Sequence, residues 1–410
     1  MESEMHRLTT QTTARQLTKQ HYDDLKQARD AGKRVVWCTG DSPAEICLAM
    51  DFIWLCPETH AILAASKGAS RELCEIAEER GYSPDICSWI RIDLGSIFSG
   101  GSKSPVGGLP KPDLLYTTTA CHQRTMWFKE LSALYDVPLL VLNIPHMGDH
   151  LGDEETTAGA RYMVQQLKEH ITFLEQFTGR PYDWGRLQEH IDLTGKAARL
   201  FGQLAEMGKH IPSPITCFDL FGHIGLLHHY RGLPQAADIY QLAVAEAEER
   251  VRRGVSAVGE EKFRLYWDNI PVWFALGDLS RKFLSYGACL ALAYFPFSLI
   301  DRFSVLDPER PLESISEAHV TWHYNMGTSK RIERLAKMIS EYSIDGLVMQ
   351  MSQTCKMWNM DSLGMANGLR EKTGLPSVTI EGDMGDPRLF SIKDIYAQIV
   401  SFMELLAKLK

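Results

Sequence analysis

The sequence predicts an α/β protein made of two parallel-sheet lobes and a helical region that links them. Three observations carry this reading. β-like runs alternate with helical ones from Arg34 to Pro145, the pattern turns helical from about Gly159, and strands return after Glu260. Boundaries follow at 1–33 for a helical lead, 34–158 for the first lobe, 159–258 for the linking region and 259–410 for the second lobe.

The lead is charged and helical from about Gln16 to Ala31. The first lobe opens with the strand Arg34-Val35-Val36-Trp37, which Cys38 ends before the turn Thr39-Gly40-Asp41. A second β-like run reaches Leu55-Cys56 and meets Pro57-Glu58. After a helix over Glu72 to Glu79 and the turn Gly81-Tyr82-Ser83-Pro84 comes Asp85-Ile86-Cys87-Ser88-Trp89. Pro112-Asp113 then leads into the apolar run Leu114-Leu115-Tyr116, a polar turn, Cys121, a helix from Arg124 and a strand from Val137 to Ile144. The linking region shows helical spacing over Arg161 to Phe177, Trp184 to Gly208 and Gln235 to Arg253, broken at Ile211-Pro212-Ser213-Pro214. In the second lobe the predicted strands are Phe263 to Trp267, Cys289 to Phe295, Gly346 to Met349 and Ser377 to Ile380, with an amphipathic helix over Ile392 to Leu409. Cys289 to Ile300 reads as a buried strand and a loop broken at Pro296, and Gly95 to Gly108 and Arg302 to Thr321 read as long loops.

Composition narrows the function. A 410-residue chain that is 45% hydrophobic can bury more than one core. A net charge of -9 without a long Lys/Arg run argues against a nucleic-acid surface, which needs a basic patch. The polar N-terminus has no apolar signal-peptide core, and Cys289 to Ile300 is too short to span a bilayer, so a cytoplasmic protein is expected. No G-x-x-x-x-G-K-[S/T] and no G-x-G-x-x-G occurs, which excludes the usual ATP-hydrolysing and nicotinamide-binding loops.

Nine cysteines show no close C-x-x-C pair. Cys121 and Cys355 stand at matching places in two copies of one strand-turn-helix-strand unit, each just beyond a strand and near a helix N-terminus. That is where open α/β sheets collect ligands, and where N–H groups favour thiolate. With Cys87 they form a set of three distant thiols suited to a metal or a cluster held between lobes. Cys47, Cys56, Cys74, Cys217 and Cys289 read as buried core thiols, while Cys38 ends a strand and could face the site. Glu58 points toward the same crevice and reads as a base or a helix N-terminal cap. His122 reads as a donor to a substrate carbonyl or a turn cap, and His228-His229 as a partly exposed helical pair.

Pro57-Glu58-Thr59, Glu72 to Glu78, Gly81-Tyr82-Ser83 and Asp85-Ile86-Cys87 resemble the opening third of the 2-hydroxyacyl-CoA dehydratase and benzoyl-CoA reductase family. The likeness continues through Pro112-Asp113 with Cys121, Ser213-Pro214 with Phe218 to Phe221, Gly259 to Arg264, Ile270-Pro271 with Trp273, Cys355-Lys356, and Gly382-Asp383 with Asp386-Pro387-Arg388. The resemblance implies two flavodoxin-like lobes around a [4Fe–4S] cluster, with Cys87, Cys121 and Cys355 at the three ligand positions and one iron left open. It implies the acyl-CoA-binding, alpha-type subunit of a heterodimer whose second, homologous subunit also bears a cluster. An ATP-dependent iron–sulfur activator would supply one electron for a radical, ketyl-type elimination of water from a 2-hydroxyacyl-CoA, with Glu58 at a proposed base position.

Gly40 departs from the pattern, because dehydratases with this motif tend to carry serines in that loop. Pro57-Glu58-Thr59, Arg91 to Gly95 and Asn143-Ile144-Pro145 look closer to benzoyl-CoA reductase subunits, so reduction of an aromatic acyl-CoA is the alternative. A non-catalytic electron-transfer protein is a third reading.

Overall fold

The computed structural model describes residues 6–149 and 152–410. Two four-stranded parallel sheets organise it. In the first, β1 (Val35–Cys38), β2 (Ile53–Leu55), β3 (Leu114–Thr118) and β4 (Leu139–Leu142) lie in the order β2-β1-β3-β4. In the second, β5 (Phe263–Asp268), β6 (Ala288–Ala293), β7 (Gly346–Ser352) and β8 (Ser377–Gly382) lie in the order β6-β5-β7-β8. The two orders are the same when each lobe is counted from its own first strand, so the duplicated unit seen in the sequence is a duplicated fold. It is the doubly wound order in which ligands meet the carboxyl ends of the strands where the winding reverses. In the first lobe that point lies between β1 and β3, and in the second between β5 and β7.

The strands are short, and β1, β2, β4 and β6 are wholly apolar, as expected when helices cover both sheet faces. Every residue of β1 and β6 is buried. Between the lobes run the long helices Asp153–Thr178, Trp184–Glu206 and Pro234–Arg252. The last two pack together with Phe201 stacked on Tyr240 at 4.8 Å. The N-terminal helix Thr10–Asp30 lies against this region, where Leu17 accepts a hydrogen bond from the Tyr230 hydroxyl. Among the described residues, no helix is long and apolar enough to cross a membrane.

Two prolines mislead the sequence reading of the second lobe. The strand predicted over Cys289 to Phe295 ends at Ala293, and a helix spans Tyr294–Phe303 with Pro296 in its first turn. First-turn N–H groups have no partner within the helix, so proline costs nothing there. The loop expected over Arg302 to Thr321 holds the helix Pro311–Val320, which begins on a proline for the same reason. The helix expected from Arg124 starts at His122, and that over Ile392 to Leu409 stands as predicted.

The lobes are clamped by charge. Arg91 is fully buried and pairs with Asp386 at 2.8 Å and Glu78 at 2.6 Å, while Arg388 also binds both carboxylates. Asp386 and Arg388 follow β8, whereas Arg91 lies in the helix that Cys87 caps. One ion-pair network thus fixes the second lobe against the cysteine-bearing turn of the first.

Candidate functional site

Each of Cys87, Cys121 and Cys355 caps a helix N-terminus, those of Ser88–Phe98, His122–Tyr135 and Lys356–Asn359. Cys121 follows β3 and Cys355 follows β7, so both stand beside the reversal points of their sheets. All three line one chamber with Trp89, Gln123, Met357, Trp358 and Met384. Direct hydrogen bonds tie the three turns together. Gln123 accepts from the Cys87 N–H at 2.7 Å and donates to the Thr354 carbonyl at 3.2 Å. Thr354 Oγ1 accepts from the Ser88 N–H at 3.0 Å and donates to Asp383 at 2.6 Å.

Two effects compete at these cysteines, the N–H groups expected at helix N-termini and burial. None of the three sulfurs closes a full capping hydrogen bond. Nearby N–H groups of Ile90, Gln123, Arg124 and Trp358 favour the thiolates, but burial outweighs them. It raises Cys87 and Cys121 above the usual thiol range and takes Cys355 up to about 12, with the neighbouring thiols adding to the rise for Cys87 and Cys355. A metal reverses this balance, since a coordinated thiol loses its proton.

The donor set fits a cluster. Three thiols on rigid helix caps face one apolar chamber, the kind of set that holds iron–sulfur clusters. Among the described residues, no group of His, Cys, Asp or Glu converges tightly enough to hold a single metal ion. The chamber measures about 20 Å³. A cluster would therefore take its place with movement of Met357 and Met384, whose unbranched side chains adapt readily.

A second chamber, about 40 Å³, shares Glu58, Trp89, Arg124 and Ile270 with the first. Glu58 lies in the first turn of the helix Pro57–Ser66, so its carboxylate sits where a helix N-terminus favours negative charge. Its Oε2 accepts the Gly40 N–H at 2.6 Å and its Oε1 pairs with Arg124 Nε at 2.6 Å. Arg124 also pairs with Asp41 at 3.1 Å, and Asp41 accepts from the Thr118 hydroxyl at 2.6 Å. Burial works to raise Asp41, but Arg124 and Arg302 prevail and hold its carboxyl well below the usual range.

The loop after β1 hangs from buried cations. Arg302 donates to the Gly40 carbonyl at 2.8 Å, and Arg231 donates to the Gly40 and Ser42 carbonyls. His319 hydrogen-bonds the Asp41 carbonyl. A Cβ added at Gly40 would meet His228 Cε1 at 2.7 Å and Glu58 Oε2 at 3.1 Å, so the imidazole occupies the space that a side chain at position 40 would need.

Several sequence readings change here. Cys38 is a core thiol beside Cys47 and lines neither chamber. His122 is exposed on its helix and lies outside both linings. His228 and His229 are not a partly exposed pair of one kind. His229 is buried against His21, 4.5 Å between ring centroids, whereas His228 lines the second chamber. Burial lowers both well below the ordinary histidine value. Arg302, Gln123 and Thr354 escaped the sequence reading. Arg302 sits in an apolar run that read as a loop, and no local pattern marks it.

Comparisons with known proteins bear on this site. The family described as 2-hydroxyglutaryl-CoA dehydratase, D-component matches residues 39–406. The chain is 29% identical to the lactoyl-CoA dehydratase subunit alpha of Anaerotignum propionicum over 93% of each chain. It is 28% identical to the (R)-phenyllactyl-CoA dehydratase alpha subunit of Clostridium sporogenes, over 97% of this chain and 95% of the relative. A benzoyl-CoA reductase subunit of Thauera aromatica is 30% identical over 94% of this chain and 91% of its own.

Proposed function

The chain belongs to the 2-hydroxyglutaryl-CoA dehydratase D-component family, and from that premise we propose that it is the acyl-CoA-binding, alpha-type subunit of a 2-hydroxyacyl-CoA dehydratase. Such an enzyme is a lyase that removes water to leave a 2-enoyl-CoA. The observation that carries the reading is the adjacency of the two chambers, with three cysteines lining one of them and the Glu58 carboxylate in the wall they share.

Cys87, Cys121 and Cys355 would hold a [4Fe–4S] cluster, which when bound supplies one-electron chemistry and Lewis acidity. Gln123 and Thr354 hold the three turns in register for it. The acyl thioester lies in the second chamber, beside Glu58. Arg124 and the Gly40 N–H fix the Glu58 carboxylate at the shared wall, where it would take the Cβ proton after one added electron has let the 2-hydroxyl leave as hydroxide, the electron then returning to the site. Aromatic walls from Trp89, Phe295, Trp322 and Tyr324 exclude water from that step.

Relatives named as alpha subunits support association with a second subunit, and the reading gives that subunit a cluster of its own. Met360 and Leu363, exposed shortly after Cys355, give that association an apolar surface. The electron comes from a separate ATP-dependent iron–sulfur activator, in keeping with the lack of a P-loop in this sequence. The second reading, reduction of an aromatic acyl-CoA, draws on the benzoyl-CoA reductase relative and the same aromatic walls.

The test is turnover of the complete system: this chain with its partner subunit and activator, ATP and a strong reductant, without oxygen. Formation of 2-enoyl-CoA from a 2-hydroxyacyl-CoA supports the dehydratase. Consumption of benzoyl-CoA with no dehydration of any 2-hydroxyacyl-CoA would replace it with the reductase.

A further inference from the structure

Outside both chambers, the segment Gly95 to Gly108, expected to be a long loop, is a built structure. Its first residues finish the helix Ser88–Phe98, and the rest folds back on itself. Gly101 and Gly108 take φ of +80° and +88°, and a Cβ on Gly101 would meet the Gly108 Cα at 2.4 Å, so the two arms of the loop touch backbone to backbone. At the tip, the Ser104 N–H donates to the Gly101 carbonyl at 3.1 Å and the Val106 N–H donates to the Ser104 hydroxyl oxygen at 3.2 Å. Lys26 donates to the Val106 carbonyl. Ser104 is thereby held half-buried between the exposed Lys103 and Pro105.

Behind Ser104 lie two fully buried side chains that the proposed dehydration does not use. His60, on the helix Pro57–Ser66, places Nε2 2.9 Å from the Ser104 hydroxyl oxygen and Nδ1 3.4 Å from Oδ1 of Asp93, which lies on Ser88–Phe98. Neither Asp93 oxygen has another partner among the described residues. Burial raises its carboxyl from the ordinary value, and His60 opposes the rise. An ionised Asp93 this enclosed depends on a proton at His60 Nδ1, and that tautomer leaves Nε2 bare to accept the Ser104 proton. Serine, imidazole and carboxylate then stand as a nucleophile, its base and the group that orients the base, an arrangement known by geometry and roles rather than by sequence position. The 3.4 Å step is loose, as such contacts often are before a substrate tightens them. The serine alone of the three reaches solvent.

We propose that Ser104 is the nucleophile of a second, hydrolytic site for short acyl esters and thioesters, with His60 as general base and Asp93 as the residue that positions it. Ser104 Oγ attacks the acyl carbon and its proton passes to His60 Nε2. The bond from that carbon to the leaving oxygen or sulfur breaks, and the leaving group departs with the proton from His60. Water, deprotonated by His60 in turn, attacks the acyl-Ser104 ester, releases the acid and returns the proton to Oγ. The Val106 N–H is the donor in place for the oxyanion formed in each attack. No part of this depends on the cysteine chamber or on the dehydratase reading.

An alkyl fluorophosphonate tests this on the full, anaerobically purified chain, because an activated serine displaces its fluoride and keeps the phosphonyl group. Peptide mass spectrometry should place the label on Ser104 of the folded wild type, and urea-unfolded protein should take none. Ser104→Ala, at a half-buried loop position, should keep the wild-type circular dichroism, take no label and lose the turnover of p-nitrophenyl acetate that the wild type shows. Asp93→Asn should slow labelling about a hundredfold or more, and His60→Gln should abolish it, each read on protein whose circular dichroism matches wild type. A merely structural triad would leave the labelling rate of such folded variants where it was. Folded wild type that takes no label, a label that falls on another residue or survives unfolding, or wild type without ester turnover overturns the proposal and leaves Ser104, His60 and Asp93 as an anchor for the loop.

Discussion

The chamber around Cys87, Cys121 and Cys355 and the one around Gly40, Asp41 and Arg302 share Glu58, Trp89, Arg124 and Ile270, yet they are charged in different ways. In the first, burial pushes three thiols upward while N–H groups at the helix N-termini favour their thiolates. In the second, carboxylates and guanidiniums are already paired through Arg124. The chemistry of the first chamber is conditional on what binds the sulfurs, whereas that of the second is built into the folded chain. Substitutions on the two sides of the shared wall should therefore separate metal content from acyl-CoA binding.

The largest separation is expected from Cys121→Ser or Cys355→Ser. Either should abolish turnover of the complete system and the iron–sulfur absorbance, and leave the affinity for lactoyl-CoA within about twofold of wild type. A cysteine variant that keeps full turnover would dissolve the distinction. Glu58→Gln changes the shared wall itself. It should lower kcat by about two to four decades, the usual worth of a positioned base, with the absorbance intact. Equal loss of absorbance in that variant would mean that Glu58 serves the cysteine chamber instead.

These side chains were unevenly legible in the sequence. The duplicated unit was readable because β3 and β7 are apolar runs followed by a polar turn and a cysteine, and both prove to be the third strand of a sheet with the same order. Cys87, Cys121, Cys355 and Glu58 could be named for the same reason: each follows a recognisable strand or turn. Arg302 could not. It lies on a helix whose early proline disguised it, and its meaning depends on Gly40, 262 positions away. His228 was misjudged because helical spacing alone does not show what lies against either face. The Arg91–Asp386 clamp joins two segments singled out separately in the sequence, and only the docking of the lobes brings them together.

That clamp supports the first chamber from outside it. Arg91→Leu should cost about 2 kcal/mol, since it removes one buried charge-assisted hydrogen bond to Asp386, which keeps its two-pronged pair with Arg388. Urea unfolding measures this, and a change under about 1 kcal/mol would show that the lobes are held by apolar packing alone.

The last effect belongs to neither chamber and serves as a control on both. Burial takes His229 down to about 3, against about 6.5 unfolded. Below about pH 6.5 the unfolded chain binds a proton that the folded chain refuses, so stability falls as pH falls from about 6.5 toward about 3. The slope is about 1.4 kcal/mol per pH unit for this group. Stability should be flat in this respect above about pH 7, and His229→Gln should shallow the acid limb. An unchanged limb would assign the loss to other groups.

The central claim is that Cys87, Cys121 and Cys355 become a cluster site when iron and sulfide are supplied. Iron and acid-labile sulfide per chain, measured on anaerobically purified and reconstituted protein beside Cys121→Ser, test it most directly. About four of each in the wild type and a large loss in the variant are expected. Values near zero in folded, reconstituted wild-type protein would contradict the account and leave Cys87, Cys121 and Cys355 as structural caps on their helices.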